Sequence, residues 1–562
     1  MRRGQRSAAW MMGVVATVSL QTGAGAAAPA DTAPALAGQV TSAKEGPMEG
    51  VVISARRAGA TITISVVSDE KGLYRFPASK IPPGEYGLKI RAIGYELEGP
   101  AKVSVRPGKT TSADLKLRGV EDITGQMTPA EWLASMPGPD EQKKFLYNCA
   151  TCHGLERIVK STHDAKEFNA VLDRMRGYAN SAWDLQPQLR VIPRGLERSF
   201  GADAGKITAY LASINLSAGS KWSYPLKTLP RPSGRATHVI YTEYDVPRPM
   251  TQPHDVVVDA SGTVWFSEFG EQYLGRLDPK TGRIKEYPVP TLRPNEPTGA
   301  LDLETDEEGN LWLSLQNQGG IARFDKHSGN FKVYAVPKEY LTEETQQSMV
   351  GPQHLEVDGK VWLNDTSIPG LYRIDLKTGK WERWAPYQQS GGDELAMTQQ
   401  HSVYGIYADR QNNIFFCDFG GENIGRIEAA TGKVTLFPTP TRHSRPRRGR
   451  LDAAGRLWFA EWRGDKLSMF DTRTEKFQEW PVPTRYTAPY DVMWDKNGEL
   501  WSGGMNTDRI LRTNPASGEQ IEYLLPRSTN VRRVFIDDTT PRPNFWVGNN
   551  HGASVVRLEP LD

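Results

Sequence analysis

Residues 253–290 read PHDVVVDASGTVWFSEFGEQYLGRLDPKTGRIKEYPVP, and this stretch decides the fold. It contains four short apolar runs separated by turn residues, which predict four antiparallel strands in succession. Similar units follow to the end of the chain. An aromatic residue recurs at one position of each unit: Trp265, Trp312, Trp362, Phe415, Trp458, Trp501 and Trp546. Four strands per unit and a period of roughly 45 residues predict a seven-bladed β-propeller over residues 237–562, with these aromatic side chains in its core.

The last unit has only three predicted strands and ends near Leu558. The segment from Val239 to Val246, which precedes the first unit, has the pattern of a strand without a blade of its own. We therefore expect this segment to complete blade seven and close the ring. Closure would leave no free strand edge on which other chains could pair.

Polar side chains occur at the strand ends that face the central funnel. In blade one, His254 begins the innermost strand and Glu268 ends the second. Because the two strands form an antiparallel hairpin, both residues are predicted at the same rim of the blade. In blade five the same positions hold Arg447 and Glu461. The innermost-strand position of three other blades holds Tyr404, Tyr490 and Arg532.

Arginine recurs in the connections that enter the innermost strands, at Arg248, Arg293, Arg442, Arg445, Arg485 and Arg527. A guanidinium binds a carboxylate through two parallel hydrogen bonds. The pattern therefore predicts a funnel that binds an anionic small molecule, with Arg447, Arg532, Tyr404 and Tyr490 as ligand-binding residues. A solvated face of loops is the alternative interpretation.

A second motif lies upstream of the propeller, where residues 149–153 read CATCH. In a C-x-x-C-H motif the thiols of Cys149 and Cys152 can each bind one haem covalently, and His153 becomes the proximal iron ligand. A redox dithiol is the alternative. Cys417 is the remaining cysteine of the chain, so no structural disulfide is expected.

The second axial ligand of a haem iron is open at this stage. Met175 is the only methionine between the motif and residue 216, and a thioether ligand raises the reduction potential. Met175 also occupies an apolar position of a predicted amphipathic helix, where a core role would explain it equally. His163, ten residues beyond His153, is the other candidate, and an open site is the third possibility.

Residues 128–216 around this motif carry helical patterns in TPAEWLA, DAKEFNAVLDRMRGYA and DAGKITAYLASIN. With the C-x-x-C-H motif, this arrangement resembles a class I c-type cytochrome. The predicted fold is therefore multidomain and mainly β, with a small β-sandwich, an α-helical class I cytochrome c domain at 128–216 and the propeller.

Residues 37–117 show alternating apolar and polar residues, with Gly and Pro at short intervals. This pattern predicts the small antiparallel sandwich. The run GLYRFPASKIPPGEYGLKIRAIGYE resembles the carboxypeptidase regulatory-like (transthyretin-like) module. The resemblance implies a non-catalytic spacer or adhesion surface.

The propeller stretches QPHDVVVDASGTVWFSEFG, GENIGRIEAATGKVTLFPTP and GRLWFAEW resemble the virginiamycin B lyase (streptogramin lyase) family. The resemblance implies a Mg²⁺ ion held by glutamates and a histidine base, which together open a cyclic peptide ester by elimination. His254, Glu268 and Glu461 match the family pattern and are the catalytic candidates. The histidine that the pattern requires fourteen residues before Glu461 is Arg447, which is a poor base.

The N-terminus has Arg2, Arg3 and Arg6, an apolar run over residues 8–20 and then small residues. This order predicts a signal peptide over residues 1–28 and a periplasmic protein, and no later stretch has the composition of a membrane span. A net charge of +2 without a basic arm argues against nucleic acid as a partner.

The leading hypothesis is a periplasmic c-type cytochrome that carries electrons through haem c for a redox partner protein or dehydrogenase, while its propeller binds a substrate or partner. The first alternative is a Mg²⁺-dependent lyase of the streptogramin lyase type. The second is a non-enzymatic binding scaffold.

Overall fold

The computed structural model describes residues 33–182, 189–192, 203–367, 370–386 and 401–562. The predicted signal peptide at 1–28 lies outside the described residues. The described chain forms a β-sandwich, a segment of short helices and a propeller. We call the described residues between 124 and 229 the cap segment.

The sandwich consists of two sheets around a core that includes Leu36, Tyr74, Phe76 and Leu88. Its strands are β1 Leu36–Ser42, β2 Gly46–Pro47, β3 Val52–Arg57, β4 Ile62–Val67, β5 Leu73–Phe76, β6 Gly84–Arg91, β7 Tyr95–Gly99, β8 Lys102–Val105, β9 Thr111–Ser112 and β10 Leu115–Gly119. One sheet has the order β2-β1-β10-β7, with β5 and β9 also paired to β1, and the other contains β4-β3-β6-β8.

The propeller begins with β11 Val239–Asp245 and continues through seven blades. Blades one to three are β12 Pro253–Val258, β13 Val264–Glu268, β14 Tyr273–Asp278, β15 Arg283–Pro288; β16 Ala300–Thr305, β17 Leu311–Leu315, β18 Gly320–Asp325, β19 Asn330–Ala335; and β20 Val350–Gly351, β21 Lys360–Asp365, β22 Gly370–Asp375, β23 Trp381–Trp384. Blades four to six are β24 Val403–Ala408, β25 Ile414–Asp418, β26 Asn423–Ile427, β27 Val434–Pro438; β28 Pro446–Leu451, β29 Arg456–Glu461, β30 Lys466–Asp471, β31 Lys476–Pro481; and β32 Pro489–Trp494, β33 Leu500–Gly504, β34 Arg509–Thr513, β35 Gln520–Leu524. Blade seven contributes β36 Val531–Asp537, β37 Asn544–Asn549 and β38 Ser554–Pro560. The predicted propeller is confirmed.

In four blades the recurring tryptophan makes the same hydrogen bond. Its indole nitrogen donates to an aspartate six residues earlier, at the turn between the first two strands: Trp265 to Asp259 at 2.9 Å, Trp312 to Asp306 at 2.9 Å, Trp458 to Asp452 at 3.0 Å and Trp501 to Asp495 at 2.9 Å. The ring is buried against the neighbouring blade while its one polar atom is hydrogen-bonded. This pairing explains why the aromatic residue and the turn repeat together.

Strand β11 closes the ring, as the sequence predicts. It pairs antiparallel with β38 along its whole length, from Val239 opposite Pro560 to Asp245 opposite Ser554. Its other edge pairs antiparallel with β4 of the sandwich. Blade seven and half of the sandwich are therefore one eight-stranded sheet, in the order β36-β37-β38-β11-β4-β3-β6-β8. The outer edge of blade seven is covered by the N-terminal domain.

The cap segment contains α1 Pro129–Ser135, α2 Asp140–Lys143, α3 Tyr147–Ala150, α4 Glu156–Val159, α5 Ala165–Arg176 and α6 Ala204–Ser213. A further one-turn helix, α7 Leu355–Asp358, lies in blade three, and 3₁₀ turns occur at Thr124–Gln126, Lys144–Leu146, Gly234–Thr237, Pro249–Thr251 and Lys338–Tyr340. Capping boxes begin α1, at Thr128 and Glu131, and α5, at Asp164 and Glu167. None of the helices in the described ranges has both the length and the apolar character needed to span a bilayer.

The prediction of an α-helical class I cytochrome c domain at 128–216 is wrong. Three of the described cap helices are single turns of four residues, and the molecule is mainly β. The core of the cap is continuous with the propeller, because Tyr147 and Leu211 share one buried cluster with Trp462 and Tyr490. Periodicity in the sequence indicates an apolar face but not what covers that face. Here other cap helices and the propeller both cover it.

The cap segment lies across one face of the ring. Its contacts reach several blades: Ser181 O accepts from Gln252 Nε2 at 2.8 Å, Asn180 Nδ2 donates to Gln346 Oε1 at 2.8 Å, Ala130 N donates to Asn506 O at 2.9 Å and Lys144 Nζ donates to Arg463 O at 2.6 Å. The cap therefore covers the mouth of the central funnel.

Candidate functional site

The innermost strand is irregular near its start in six blades, where two residues interrupt the regular pairing. Such bulges re-aim side chains. The first residue of each interruption forms what we call the first layer: His254, Leu301, Tyr404, Arg447, Tyr490 and Arg532. The second residue forms the second layer: Asp255, Asp302, Gly405, Arg448, Asp491 and Arg533. Side chains from non-adjacent blades meet in both layers.

The second layer is a buried network of ion pairs. The guanidinium of Arg448 donates to both oxygens of Asp255, at 2.9 and 2.8 Å, and to Asp302 Oδ1 at 2.5 Å. Arg533 lies 3.1 Å from Asp255 and 2.9 Å from Glu304. Burial opposes ionisation of Asp255, but the two arginines outweigh it and hold its pKa well below the usual range. Positive and negative side chains thus compensate each other here.

The first layer contains a hydrogen-bonded chain of three residues that the sequence analysis placed at the rim. The hydroxyl of Tyr490 bonds to the hydroxyl of Tyr404 and lies 3.2 Å from His254 Nε2. His254 Nδ1 lies 2.6 Å from Asp255 Oδ1. Burial lowers the pKa of His254 to about 4, so its ring is neutral near pH 7. In that form Nδ1–H donates to Asp255, and Nε2 accepts from Tyr490.

Arg447 is held by four aromatic rings. Its guanidinium carbon lies 4.1 Å from the ring centre of Tyr490, 4.5 Å from that of Phe419, 5.0 Å from that of Tyr404 and 5.1 Å from that of Trp462. The negative faces of aromatic rings attract a cation, most strongly where water is excluded. The rings fix the position of the charge without neutralising it.

Three buried arginines have no carboxylate partner among the described residues: Arg445, Arg447 and Arg532, which are 2%, 5% and 4% exposed. Their hydrogen bonds go to Phe419 O at 2.6 Å, Met505 Sδ at 3.4 Å and Thr151 O at 2.6 Å, respectively. One nitrogen of each guanidinium (Nη1 of Arg445, Nε of Arg447 and Nε of Arg532) has no partner in the described chain. Burial, and then the charges of Arg447 and Arg463, lower the pKa of Arg445 to about 9.

The other arginines that were predicted at the rim are either ion-paired or exposed to solvent. Four of them form ion pairs: Arg248 with Glu271 and Glu286, Arg293 with Glu296, Arg485 with Asp140, and Arg527 with Glu243 and Asp245. Arg442 is exposed. The charges of these five arginines are therefore paired with carboxylates or solvated. Of the arginines predicted to bind an anion, Arg445, Arg447 and Arg532 remain.

Glu268 and Glu461 have neighbours in their own blades and form no described contact with each other or with His254. Glu268 Oε2 lies 3.6 Å from Arg248 Nη2, and Glu461 Oε1 accepts from Ser468 Oγ at 2.8 Å. Burial, followed by the charge of Glu286, raises the pKa of Glu268 to about 9. Burial and Glu479 raise the pKa of Glu461 to about 8. Both carboxyl groups are therefore protonated at pH 7.

The C-x-x-C-H motif lies directly on the first layer, a contact that the sequence analysis missed. The backbone nitrogens of Cys152 and His153 both donate to Cys149 O, at 3.3 Å each, so the motif forms one helical turn. Ala150 O accepts from Asn530 Nδ2 at 3.1 Å, and Thr151 O accepts from Arg532. Asn530 and Arg532 belong to the start of blade seven, and no sequence pattern connects them to the motif.

The motif has the donor set that a covalent haem requires. Cys149 and Cys152 lie on the same turn, and neither forms a disulfide. His153 Nδ1 lies 2.9 Å from Gly154 O, so Nδ1–H can donate to this carbonyl and leave Nε2 for a metal, the usual arrangement for a histidine ligand. Burial raises the pKa of Cys149 to about 12, whereas a redox dithiol needs a lowered pKa. The residues fit haem better than a dithiol catalyst.

The two predicted axial ligands lie at opposite ends of α5. Met175 is half-buried near its C-terminal end. His163 precedes its N-terminal end, where its exposed ring lies 3.6 Å from Glu167 Oε2 and packs edge-on against Phe168. His163 is thus engaged on the surface.

A separate surface trio, Glu307, His354 and Glu356, has ligand atoms within 4.8 Å of one another. His354 Nδ1 lies 3.1 Å from Glu356 Oε1, which is hydrogen-bonding distance. His401 Nδ1 lies 2.7 Å from Asp418 Oδ2, and this hydrogen bond raises the pKa of His401.

Comparison with known families gives two matches. Residues 35–118 match the carboxypeptidase regulatory-like domain, and residues 393–502 match the virginiamycin B lyase family. The resemblances of the sandwich and of this propeller region are thereby confirmed. No match supports a cytochrome c domain, and no curated protein sequence matches the chain.

Several solved structures are similar to the propeller. A streptogramin B lyase is 22% identical with a TM-score of 0.49, covering 58% of this chain and 99% of its own. Virginiamycin B lyase from Staphylococcus aureus is 20% identical with a TM-score of 0.48, covering 57% and 99%. The extracellular domain of a one-component system from B. thetaiotaomicron is 15% identical with a TM-score of 0.42, covering 56% and 40%. At these identities the likeness concerns the fold alone.

Proposed function

We propose that the protein carries a haem bound covalently to Cys149 and Cys152, with His153 as an iron ligand, and that it takes part in electron transfer in the periplasm. The observation that carries this proposal is the turn in which two cysteines that form no disulfide precede a histidine whose Nδ1 faces the Gly154 carbonyl. When bound, haem supplies one-electron redox chemistry. The N-terminal signal sequence supports the location.

The chain's own residues would hold this group at the funnel. Asn530 and Arg532 fix the turn by hydrogen bonds to Ala150 O and Thr151 O. His153 would bind iron through Nε2, and Met175 would supply a second iron ligand. A ligand in the funnel would then lie next to the motif, and a redox protein or dehydrogenase would exchange electrons at the outer face of the cap.

The test is expression of the full chain in a host with haem-maturation machinery. The denatured protein should retain haem-dependent peroxidase staining on a gel, because thioether bonds survive denaturation. Cys149→Ser with Cys152→Ser should abolish the staining. Cys417→Ser, which changes a buried thiol in blade four, is the matched control and should leave it intact. Unstained wild-type protein, or staining in the double variant, would refute the proposal.

A second candidate is a lyase, which the family match over residues 393–502 favours. His254 could accept a proton, since it is neutral at pH 7. The described residues do not bring Glu268 and Glu461 into a common Mg²⁺ site, because Glu268 lies beside Arg248 and Glu461 accepts from Ser468 of its own blade. Titration calorimetry should therefore detect no tight Mg²⁺ binding. A micromolar Mg²⁺ site that is lost in Glu461→Gln would instead favour the lyase. A chain that has neither haem nor lyase activity would be a binding scaffold.

A further inference from the structure

We propose that Arg445, Arg447 and Arg532 bind a carboxylate between the cap turn and the first layer. Among the residues that the structure describes, none of these three buried guanidinium groups forms an ion pair with a carboxylate, and a bound anion would supply one.

The contrast between the two layers is the first argument. In and beside the second layer, four carboxylates face three arginines: Asp255, Asp302, Glu304 and Asp491 against Arg448, Arg450 and Arg533. One residue earlier along the same strands, Arg447 and Arg532 have no acidic partner in the described chain. A buried charge without a counter-ion is strongly unfavourable. The first layer is therefore incomplete on its own.

The geometry of the arginines is the second argument. Each has a buried nitrogen that meets no acceptor in the described residues, although another nitrogen of the same guanidinium is hydrogen-bonded. Four aromatic rings hold Arg447 in place, so little conformational freedom remains to be lost on binding. A carboxylate offers two oxygens to such fixed, planar donors and forms stronger hydrogen bonds to them than a neutral group does.

Two sources can supply this carboxylate. One is a propionate side chain of the haem, and this source rests on the proposed function. The other is a free small carboxylate that enters the funnel, and this source is independent of haem. The Cys149→Ser, Cys152→Ser double variant separates the two, because it removes the covalent haem and leaves all three arginines.

The first measurement uses succinate as probe. Thermal unfolding of the full-length wild type and of the double cysteine variant is followed with and without a large excess of succinate. If the carboxylate is free, the unfolding temperature should rise by about 2–4 °C in both proteins. Arg447→Gln and Arg532→Gln should abolish the rise, whereas the exposed Arg442→Gln should retain it.

The second measurement uses the reduction potential of the haem-loaded protein. If the carboxylate is a propionate, Arg532→Gln should lower the midpoint potential and make it pH-dependent between about pH 5 and 7, because the unpaired propionate then titrates near its ordinary range. Arg442→Gln should change neither property. Circular dichroism establishes that each variant is folded. If a glutamine variant is not folded, Arg447→Lys or Arg532→Lys, which keeps the charge but loses the planar fork, replaces it at the same position.

Either effect supports the inference and identifies the source. It is overturned if succinate leaves the unfolding temperature of wild type unchanged and the arginine variants also leave the potential unchanged. A chain without haem that still binds succinate would refute the proposed function but not this site. A haem-loaded chain that shows neither the succinate effect nor the change in potential would refute this site but not the proposed function.

Discussion

The hydroxyl of Tyr490 lies 3.2 Å from Nε2 of His254, although the two residues belong to blades six and one and are 236 positions apart in the chain. Both side chains are fully buried, and the hydroxyl of Tyr404 from blade four completes the contact. Three blades that are not neighbours are therefore joined across the axis by hydrogen bonds and by contacts between the rings of these residues. Polar groups and aromatic rings together close the funnel at this level.

Replacing Tyr490 by phenylalanine should lower the free energy of unfolding by about 2 kcal/mol. The change leaves His254 Nε2 and the Tyr404 hydroxyl buried without their partner, and each such loss costs about 1 kcal/mol or more. Denaturant titration measures the difference. Tyr334→Phe, which alters a partly exposed hydroxyl in blade two, should be neutral. Equal stability of the Tyr490 variant and wild type would show that water replaces the lost bonds.

The stability of the propeller should fall as the pH rises from about 5 to 9. Glu268 keeps its proton up to a pKa of about 9 in the folded protein, whereas the ordinary value is 4.5. Within that window unfolding releases a proton, so the folded state loses up to about 1.4 kcal/mol of stability per pH unit from this group. Glu461 acts with the same sign up to about pH 8. Unfolding temperatures recorded across the window measure the slope.

Glu268→Gln should flatten this profile. The amide has the shape of the protonated acid and does not ionise beside Glu286 and Glu271, so the variant should exceed wild type in stability at pH 8 and match it near pH 5. Glu286→Gln is the informative comparison, because it removes the repelling charge and should reduce the slope without eliminating it. A profile of Glu268→Gln parallel to that of wild type would contradict the assignment.

Tyr147→Ala should release the cap segment from the ring. The ring of Tyr147 lies 5.2 Å from that of Trp462, and its hydroxyl lies 3.2 Å from Asp465 Oδ2. Truncating a fully buried aromatic residue costs about 3 kcal/mol or more. Limited trypsin digestion should cut the variant within the cap faster than wild type, and the partly exposed Tyr273→Ala should not increase cutting. Unchanged cutting would mean that other contacts suffice to hold the cap.

Met175→Ala and His163→Ala should affect a haem-loaded protein differently. His163 is exposed and lies beside Glu167, so its removal should leave the oxidised and reduced spectra unchanged. Removal of Met175 should eliminate the absorption features of a thioether–iron bond and lower the midpoint potential. The opposite pattern would assign the ligand to His163, and unchanged spectra in both variants would indicate an open or different site.

The propeller could be predicted from the sequence because several blades repeat the same local pattern of strands, turn and aromatic residue. Trp265 and Asp259 are six residues apart and recur as a unit, so a single chain reveals the period. The closing strand could be predicted as well, because Val239–Asp245 has a strand pattern and the last blade lacks one strand. The pairing of its second edge with Ile64 and its neighbours could not be predicted, since both edges of a buried strand look alike in sequence.

The funnel was predictable only in part. The innermost-strand positions could be located in the sequence, but the sequence did not indicate which of two adjacent arginines would be paired with a carboxylate. Arg448 meets Asp255, 193 positions away, while Arg447 meets aromatic rings. This difference arises from a bulge that turns successive side chains into different layers. No local pattern reports a partner on the opposite side of a ring.

The cap segment is anchored at both ends, because the chain leaves the sandwich after Gly119 and re-enters the shared sheet at Val239. Its docking on the funnel is therefore an intramolecular event governed by an effective concentration, which for such tethers is about millimolar. Contacts that would be too weak to bind a separate protein are therefore sufficient to keep the cap segment docked on the propeller. If the cap lifts, it closes again at a rate that does not depend on how dilute the protein is, so access to the three arginines can be transient without loss of the C-x-x-C-H motif from the molecule.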